Sequence, residues 1–239
     1  MLFVSSLLII TLAGIAQAQT PQGFTPNTNT QLDITFNTTS VKTSGELLSK
    51  LVTASQPQIA IAANLVTLSD TYMFVMMDLD VPPAGGNSSR RVLLHAMNTG
   101  FKATTQKVSG ATLLVSSSKG PASYIPPSPP PSDTIPHRYV QLLFQQPSSL
   151  KVSATVFQNT QARLNFDINA FMNSNGVSAP IAANFFMVDG KATESANAAA
   201  SGTGGSAKNT IQPFTGGVSR VAGRWSLAGL MGGLALLAM

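Results

Sequence analysis

The residues best suited to chemistry fall in two short clusters, and the only two histidines of the 239-residue chain are divided between them. The first cluster is Asp78, Asp80 and Pro82, which close an apolar run and lead through a loop to Arg90, Arg91 and His95. The second is Pro136-His137-Arg138-Tyr139, which follows a proline-rich approach containing Pro126, Pro127, Pro129, Pro130 and Pro131. Arginine, histidine and tyrosine donors beside a proline-fixed backbone suit a phosphate-like oxyanion. Carboxylates in the same place would repel that anion unless they orient the histidines or receive a cationic group. A zwitterionic head group such as phosphoethanolamine satisfies both demands. The two clusters are therefore expected to meet and form one small anion-binding pocket.

Each feature taken singly has a plainer explanation. Asp78 and Asp80, two apart on an extended chain, point the same way about 7 Å apart, and could simply cap a turn before Pro82. Arg90 and Arg91 on a loop read as solvated side chains. His95 lies among apolar neighbours, where a satisfied core histidine is usual, and Arg138 could pair with a carboxylate to close the fold.

Several function classes find no support. There is no Gly-x-Ser-x-Gly elbow or His-Glu-x-x-His motif for a hydrolase, and Asp78, Asp80 and His95 match no standard metal-ligand spacing. The expectation is a binding protein without catalysis, cofactor or metal. The net charge of +5 comes from 14 Lys and Arg against 9 Asp and Glu, with two of the arginines, Arg220 and Arg224, beside the C-terminal apolar stretch. No Lys/Arg run occurs, so nucleic acid is not an expected partner.

The elements that must position the clusters read as short strands. Leu32, Ile34 and Phe36 alternate with polar residues, as a half-buried strand does. The run 72–77 is continuously apolar and too short for a typical helix, so it reads as a central strand ending at Asp78. Further strands are expected over 59–62, 92–97, 111–115, 139–145 and 181–188. The proline-rich stretch lacks ladder donors and should run extended outside any sheet. Asp167 is a suitable N-cap for a short helix over 168–173, closed by Asn175-Gly176. Segments 41–50 and 154–164 have no clear pattern. The sum is a mainly β, largely antiparallel domain.

Both ends differ from the middle. Residues 2–16 are apolar and lead to Ala16-Gln17-Ala18, a small-x-small site suited to signal peptidase. Cleavage there would leave Gln19 first. The tail 227–239 is apolar and uncharged, and it follows a low-complexity stretch rich in Ala, Gly, Ser and Thr. Small residues, a polar spacer and a hydrophobic end match a glycosylphosphatidylinositol attachment signal, with a single-pass tail anchor as the competing reading. Gly216 leaves a suitable spacer; Asn209 and Ser206 are the other attachment candidates. Sequons at Asn37 and Asn87 fit passage through the secretory pathway. The absence of cysteine leaves stability to the core. The expected organisation is a signal peptide at 1–18, an N-terminal arm at 19–30, a domain at 31–190, a linker at 191–217 and a propeptide at 218–239. The expected location is the cell surface, at the plasma membrane or wall.

At this point the chain resembles the phosphatidylethanolamine-binding proteins, also known as the Raf kinase inhibitor or flowering-regulator family. The family signature Asp-Pro-Asp-Ala-Pro, then a loop and Leu-His, is similar to Asp78-Leu79-Asp80-Val81-Pro82 and Leu94-His95. The second signature, a proline-rich stretch then His-Arg-Tyr and an apolar strand, is similar to Ile125 through Pro130 and to His137-Arg138-Tyr139-Val140. Phe166-Asp167-Ile168 and Pro180-Ile181-Ala182-Ala183-Asn184-Phe185-Phe186 resemble its C-terminal helix and strand. The resemblance covers roughly residues 30 to 190. It implies a large antiparallel sheet packed on a smaller one, with a pocket at one end for phosphate-type anions or phospholipid head groups. Carried over by position, Asp78, Asp80, Pro82, His95, Pro130, His137 and Tyr139 would line or support the pocket, with Arg138 bracing it. It also implies a cis bond at Val81-Pro82, and a second possible role as an inhibitor of a secreted or vacuolar serine carboxypeptidase. Leu79, Val81, Ala96, Ile125 and Pro136 depart from the family pattern, which bears on ligand size and preference.

Overall fold

The computed structural model describes residues 18–86 and 88–191. The leader, the linker and tail with Gly216, and the sequon residue Asn87 lie outside the described residues. Asn37 is exposed in the turn between the first two strands.

The described chain is mainly β. Ten strands are β1 (Asp33–Phe36), β2 (Thr39–Ser40), β3 (Glu46–Leu48), β4 (Gln58–Ile61), β5 (Tyr72–Val81), β6 (Arg91–Val108), β7 (Ala111–Val115), β8 (Pro121–Ala122), β9 (His137–Gln145) and β10 (Ala182–Val188). Their order is β2-β1-β4-β7-β6-β5-β9-β10-β3, with β8 paired to β6. Pairing is antiparallel except for β3, which runs parallel to β10. The long strand β6 turns this path into two layers. Residues up to Phe101 pair with β5 in the larger sheet, and from Lys102 onward the strand pairs with β7 in the smaller one. Gly100 lies at the changeover with a φ of 74°, a left-handed conformation that glycine adopts without Cβ strain. This is why the strand expected over 92–97 runs on to Val108.

The apolar run at 72–77 is explained by burial on both faces of the larger sheet. Tyr72, Phe74 and Met76 face the smaller sheet, in a core with Ile34, Ile59, Phe101 and Leu114. Met73, Val75 and Met77 face the other way, against Phe157, Ile168 and Val177. Fully burying such a side chain contributes about 1.5–3 kcal/mol, so this strand is a principal anchor of the fold.

The second core is closed by irregular chain. Segment 154–164 forms two 3₁₀ turns, Ala154–Phe157 and Gln161–Arg163, which deliver Phe157 and Arg163 to the interior. Helix α1 (Ile168–Asn175) follows. The Asp167 carboxylate caps it by accepting from Asn169 N (2.9 Å) and Ala170 N (3.0 Å). Gly176, in the left-handed region, ends it.

The expected cis bond at Val81-Pro82 is not found; among the described residues the cis bonds are Thr25-Pro26 and Gly120-Pro121. Val81 stays in the ladder opposite Arg91, and the Pro82 carbonyl accepts from Arg91 Nε at 2.9 Å. The chain thus leaves β5 in an extended course that a trans bond supplies.

Candidate functional site

Strand alternation on β5 places Asp78 and Asp80 on the face opposite Met77 and Leu79, and adjacent β9 brings its first residues beside them, with Tyr139 directly opposite Asp78. The two carboxylates then take different partners. Asp80 binds Arg138 through Nε to Oδ2, Nη2 to Oδ1 and the backbone N to Oδ2, each at 2.8 Å. Burial pushes the Asp80 carboxyl up, but these bonds outweigh it and hold the group below its usual range. Asp78 instead faces the histidines. Its Oδ2 lies 2.8 Å from His137 Nδ1 and 4.0 Å from His95 Nε2, and its Oδ1 accepts from Asp80 N at 2.7 Å.

The far side of His137 completes a chain of charges. His137 Nε2 is 2.8 Å from Asp133 Oδ2, and the Arg90 guanidinium grips the same carboxylate with Nη1 and Nη2 at 2.7 Å each. Arg90 Nη1 also donates to the Asp80 carbonyl. Burial disfavours the His137 imidazolium, yet the hydrogen bonds and charges of Asp78 and Asp133 outweigh it and raise its pKa above the ordinary value. The Arg90 bond, aided by His137, holds Asp133 well below the usual carboxylate range.

His95 is set differently. Its Nδ1 faces the Ile125 carbonyl at 2.7 Å and therefore carries the proton. Burial lowers its pKa, which favours the neutral ring. Its Nε2 then presents a lone pair, buried and without a hydrogen-bond partner among the described residues. Tyr139 packs against both imidazoles, edge-on to His95 with centroids 5.1 Å apart and stacked on His137 at 6.4 Å. Burial, reinforced by the Asp78 charge, raises its hydroxyl pKa.

The structure thus brings Asp78, Asp80, His95, His137, Arg138 and Tyr139 into one cluster. All but Arg138 are 3% exposed or less, so the cluster is an interior network. The turn-capping alternative for Asp78 and Asp80 does not hold, because both lie within β5. Pro82 ends that strand, bonded to Arg91. Pro130 stands behind the cluster: its carbonyl accepts from Asp133 N at 3.0 Å. A separate cavity of about 330 Å³ lies on the reverse face of β5, lined by Met77, Leu79, Val92, Phe166 and Ile168, with Arg90 in its wall.

Sequence reasoning missed Asp133 and read Arg90 as solvated. The available signal was the acid four residues before His137 inside a proline-bounded turn, but only tertiary contact pairs it with Arg90.

Comparison with known proteins agrees with this architecture. The family model described as phosphatidylethanolamine-binding protein matches residues 24–186. The chain is 33% identical over 203 residues to "Phomoidride biosynthesis cluster protein N" of Talaromyces stipitatus, covering 78% of this chain and 98% of that protein. It is 29% identical over 160 residues to "Protein BROTHER of FT and TFL 1" of Arabidopsis thaliana, covering 67% and 80%. Among solved structures, a carboxypeptidase Y inhibitor in complex with its cognate proteinase shares the fold, with a TM-score of 0.52, 22% identity and coverage of 68% and 84%. On the strength of the family match, which spans both clusters, the chain belongs to the phosphatidylethanolamine-binding protein family.

Proposed function

We propose that this protein is a non-catalytic binding protein whose site accepts a phosphate-type anion or a phospholipid head group. The observation that carries this reading is the pair of acceptors Asp78 Oδ2 and His95 Nε2, 4.0 Å apart in the interior. His95 Nε2, a buried acceptor with no hydrogen-bond partner among the described residues, faces a carboxylate oxygen that already accepts from His137 and calls for a donor of its own, since an unsatisfied buried polar atom costs about 1–3 kcal/mol. A ligand ammonium supplies that donor. On the other edge of His137, Arg90 and the imidazole Nε2 form a clamp suited to an oxyanion. His137 therefore stands between a cation-accepting end and an anion-accepting end, which is the pattern a zwitterionic head group requires.

The test is a titration of the protein with phosphoethanolamine while imidazole NMR signals are followed. The His95 and His137 resonances are expected to shift together; if neither responds, the reading fails. The composition of both terminal segments supports a secreted, glycosylphosphatidylinositol-anchored form. Phospholipase treatment should then release the protein from cells, and retention on the membrane overturns the anchor.

Protease binding is the second reading, favoured by the likeness to a solved carboxypeptidase Y inhibitor. Carboxypeptidase inhibition that survives replacement of both histidines would favour it over the head-group site.

A further inference from the structure

Given the anion-binding function proposed above, we infer that Asp133 is the resident anion of this site: its carboxylate fills the clamp made by Arg90 and His137, and a phosphate-type anion enters by displacing it. Three donors from two separate elements converge on this one carboxylate, Arg90 Nη1 and Nη2 at 2.7 Å and His137 Nε2 at 2.8 Å. A guanidinium fork with an added imidazole N–H fits a carboxylate and a phosphate alike. The donor set is a general oxyanion site that the chain satisfies from within.

The way Asp133 is held makes it displaceable. It belongs to no strand or helix, and its neighbours Pro131, Ser132, Thr134 and Ile135 are all exposed while it alone turns inward. Its backbone N–H donates to the Pro130 carbonyl, and its Oδ1 accepts from Thr134 N at 2.7 Å, both contacts local to the turn. The carboxylate can swing out without disturbing β5 or β9. The outer member of the clamp, Arg90, keeps 27% of its side chain exposed, so an anion can reach it from solvent. Exchange of one anion for another also leaves Arg90 and His137 compensated.

Displacement has a consequence for selectivity. A ligand must replace three hydrogen bonds to compete, which favours a phosphate monoester over chloride or a singly bonding anion. The wild-type chain binds anions more weakly than its donor set allows, because each must first expel Asp133.

The experiment compares inorganic phosphate and acetate binding to the wild-type protein, Asp133→Ala and Asp133→Asn, read by imidazole NMR and by thermal unfolding. Asp133→Ala is expected to bind phosphate at least tenfold more tightly than wild type, and acetate should raise its Tm while leaving the wild-type Tm unchanged. Should Asp133→Ala fail to fold, Asp133→Asn keeps the turn and must show tighter phosphate binding in its place. Adding Arg90→Ala to either variant should abolish the gain. Wild-type binding of phosphate with no gain in the folded variants overturns the role of Asp133 alone. A gain that persists without Arg90 overturns it as well. No phosphate response in any form overturns the anion site itself, and this inference with it.

Discussion

His137 Nδ1 lies 2.8 Å from Asp78 Oδ2, a contact between residues 59 positions apart that joins the two sequence clusters into one network. His137 is 1% exposed and has a second carboxylate, Asp133, on its other edge. The first prediction concerns this ring. Its pKa in the fold is raised above the ordinary 6.5, so its stabilising contribution is complete below about pH 6.5 and declines as pH rises through the folded value. His137→Gln should lower the unfolding free energy by about 1–3 kcal/mol at pH 6, with a smaller deficit at pH 9, measured by urea denaturation. A deficit that does not change with pH would show that the ring acts in its neutral form.

The Arg138–Asp80 pair should respond asymmetrically. The Arg138 side chain is 40% exposed and its partner only 2%. Arg138→Ala leaves a buried, uncompensated carboxylate and should cost about 3–5 kcal/mol. Asp80→Ala leaves a guanidinium that water can reach, so its cost should be smaller. Chemical denaturation of the two single variants checks the order, and equal losses would argue against the burial explanation.

Acid should unfold the protein through Asp80 and Asp133. Both are held below the ordinary carboxylate value by their arginines despite opposing burial. Their contribution is present above about pH 3.8 and is lost as pH falls toward the folded values. Unfolding midpoints measured from pH 5 down to pH 2 should fall steeply, and Asp133→Asn should flatten part of that slope.

Gly190 ties the end of the described chain to the site. A Cβ there would sit 2.2 Å from the Pro130 carbonyl oxygen, and Lys50 Nζ donates to the carbonyls of both Gly190 and Pro129 at 3.0 Å. Since the Pro130 carbonyl also receives Asp133 N, Gly190→Ala should push this segment and disturb the Asp133 turn. Overpacking of this kind costs about 1–3 kcal/mol. The expected signature is a lowered Tm together with a shifted His137 imidazole signal, whereas a lowered Tm alone would separate Gly190 from the site.

Much of the architecture was legible in residue pattern. The unbroken apolar run at 72–77 indicated a central strand, Asp167 and Gly176 marked the two ends of a helix, and the proline-rich stretch was excluded from the sheet for lack of donors. Less legible was β6, because the pairing change at Gly100 depends on two different neighbours and leaves only a glycine as its trace. Segment 154–164 showed no period, since its 3₁₀ turns are held by what they plug rather than by their own propensity.

The sequence by itself determined which residue types stand at the ends of β5 and β9, and so that two aspartates, two histidines, an arginine and a tyrosine were candidates for one site. Spacing along a strand settles only which side chains share a face. Tertiary structure decided how the charges pair: Asp80 goes to Arg138, Asp78 to His137, and Asp133 to both His137 and Arg90. Those choices depend on angles and separations of a few ångströms between segments up to 59 positions apart, and hydrogen bonding and Coulomb attraction act on that distance alone. The fold also decided that these groups lie inside, which turns a set of polar residues into a neutralised interior network with Asp133 seated as its anion.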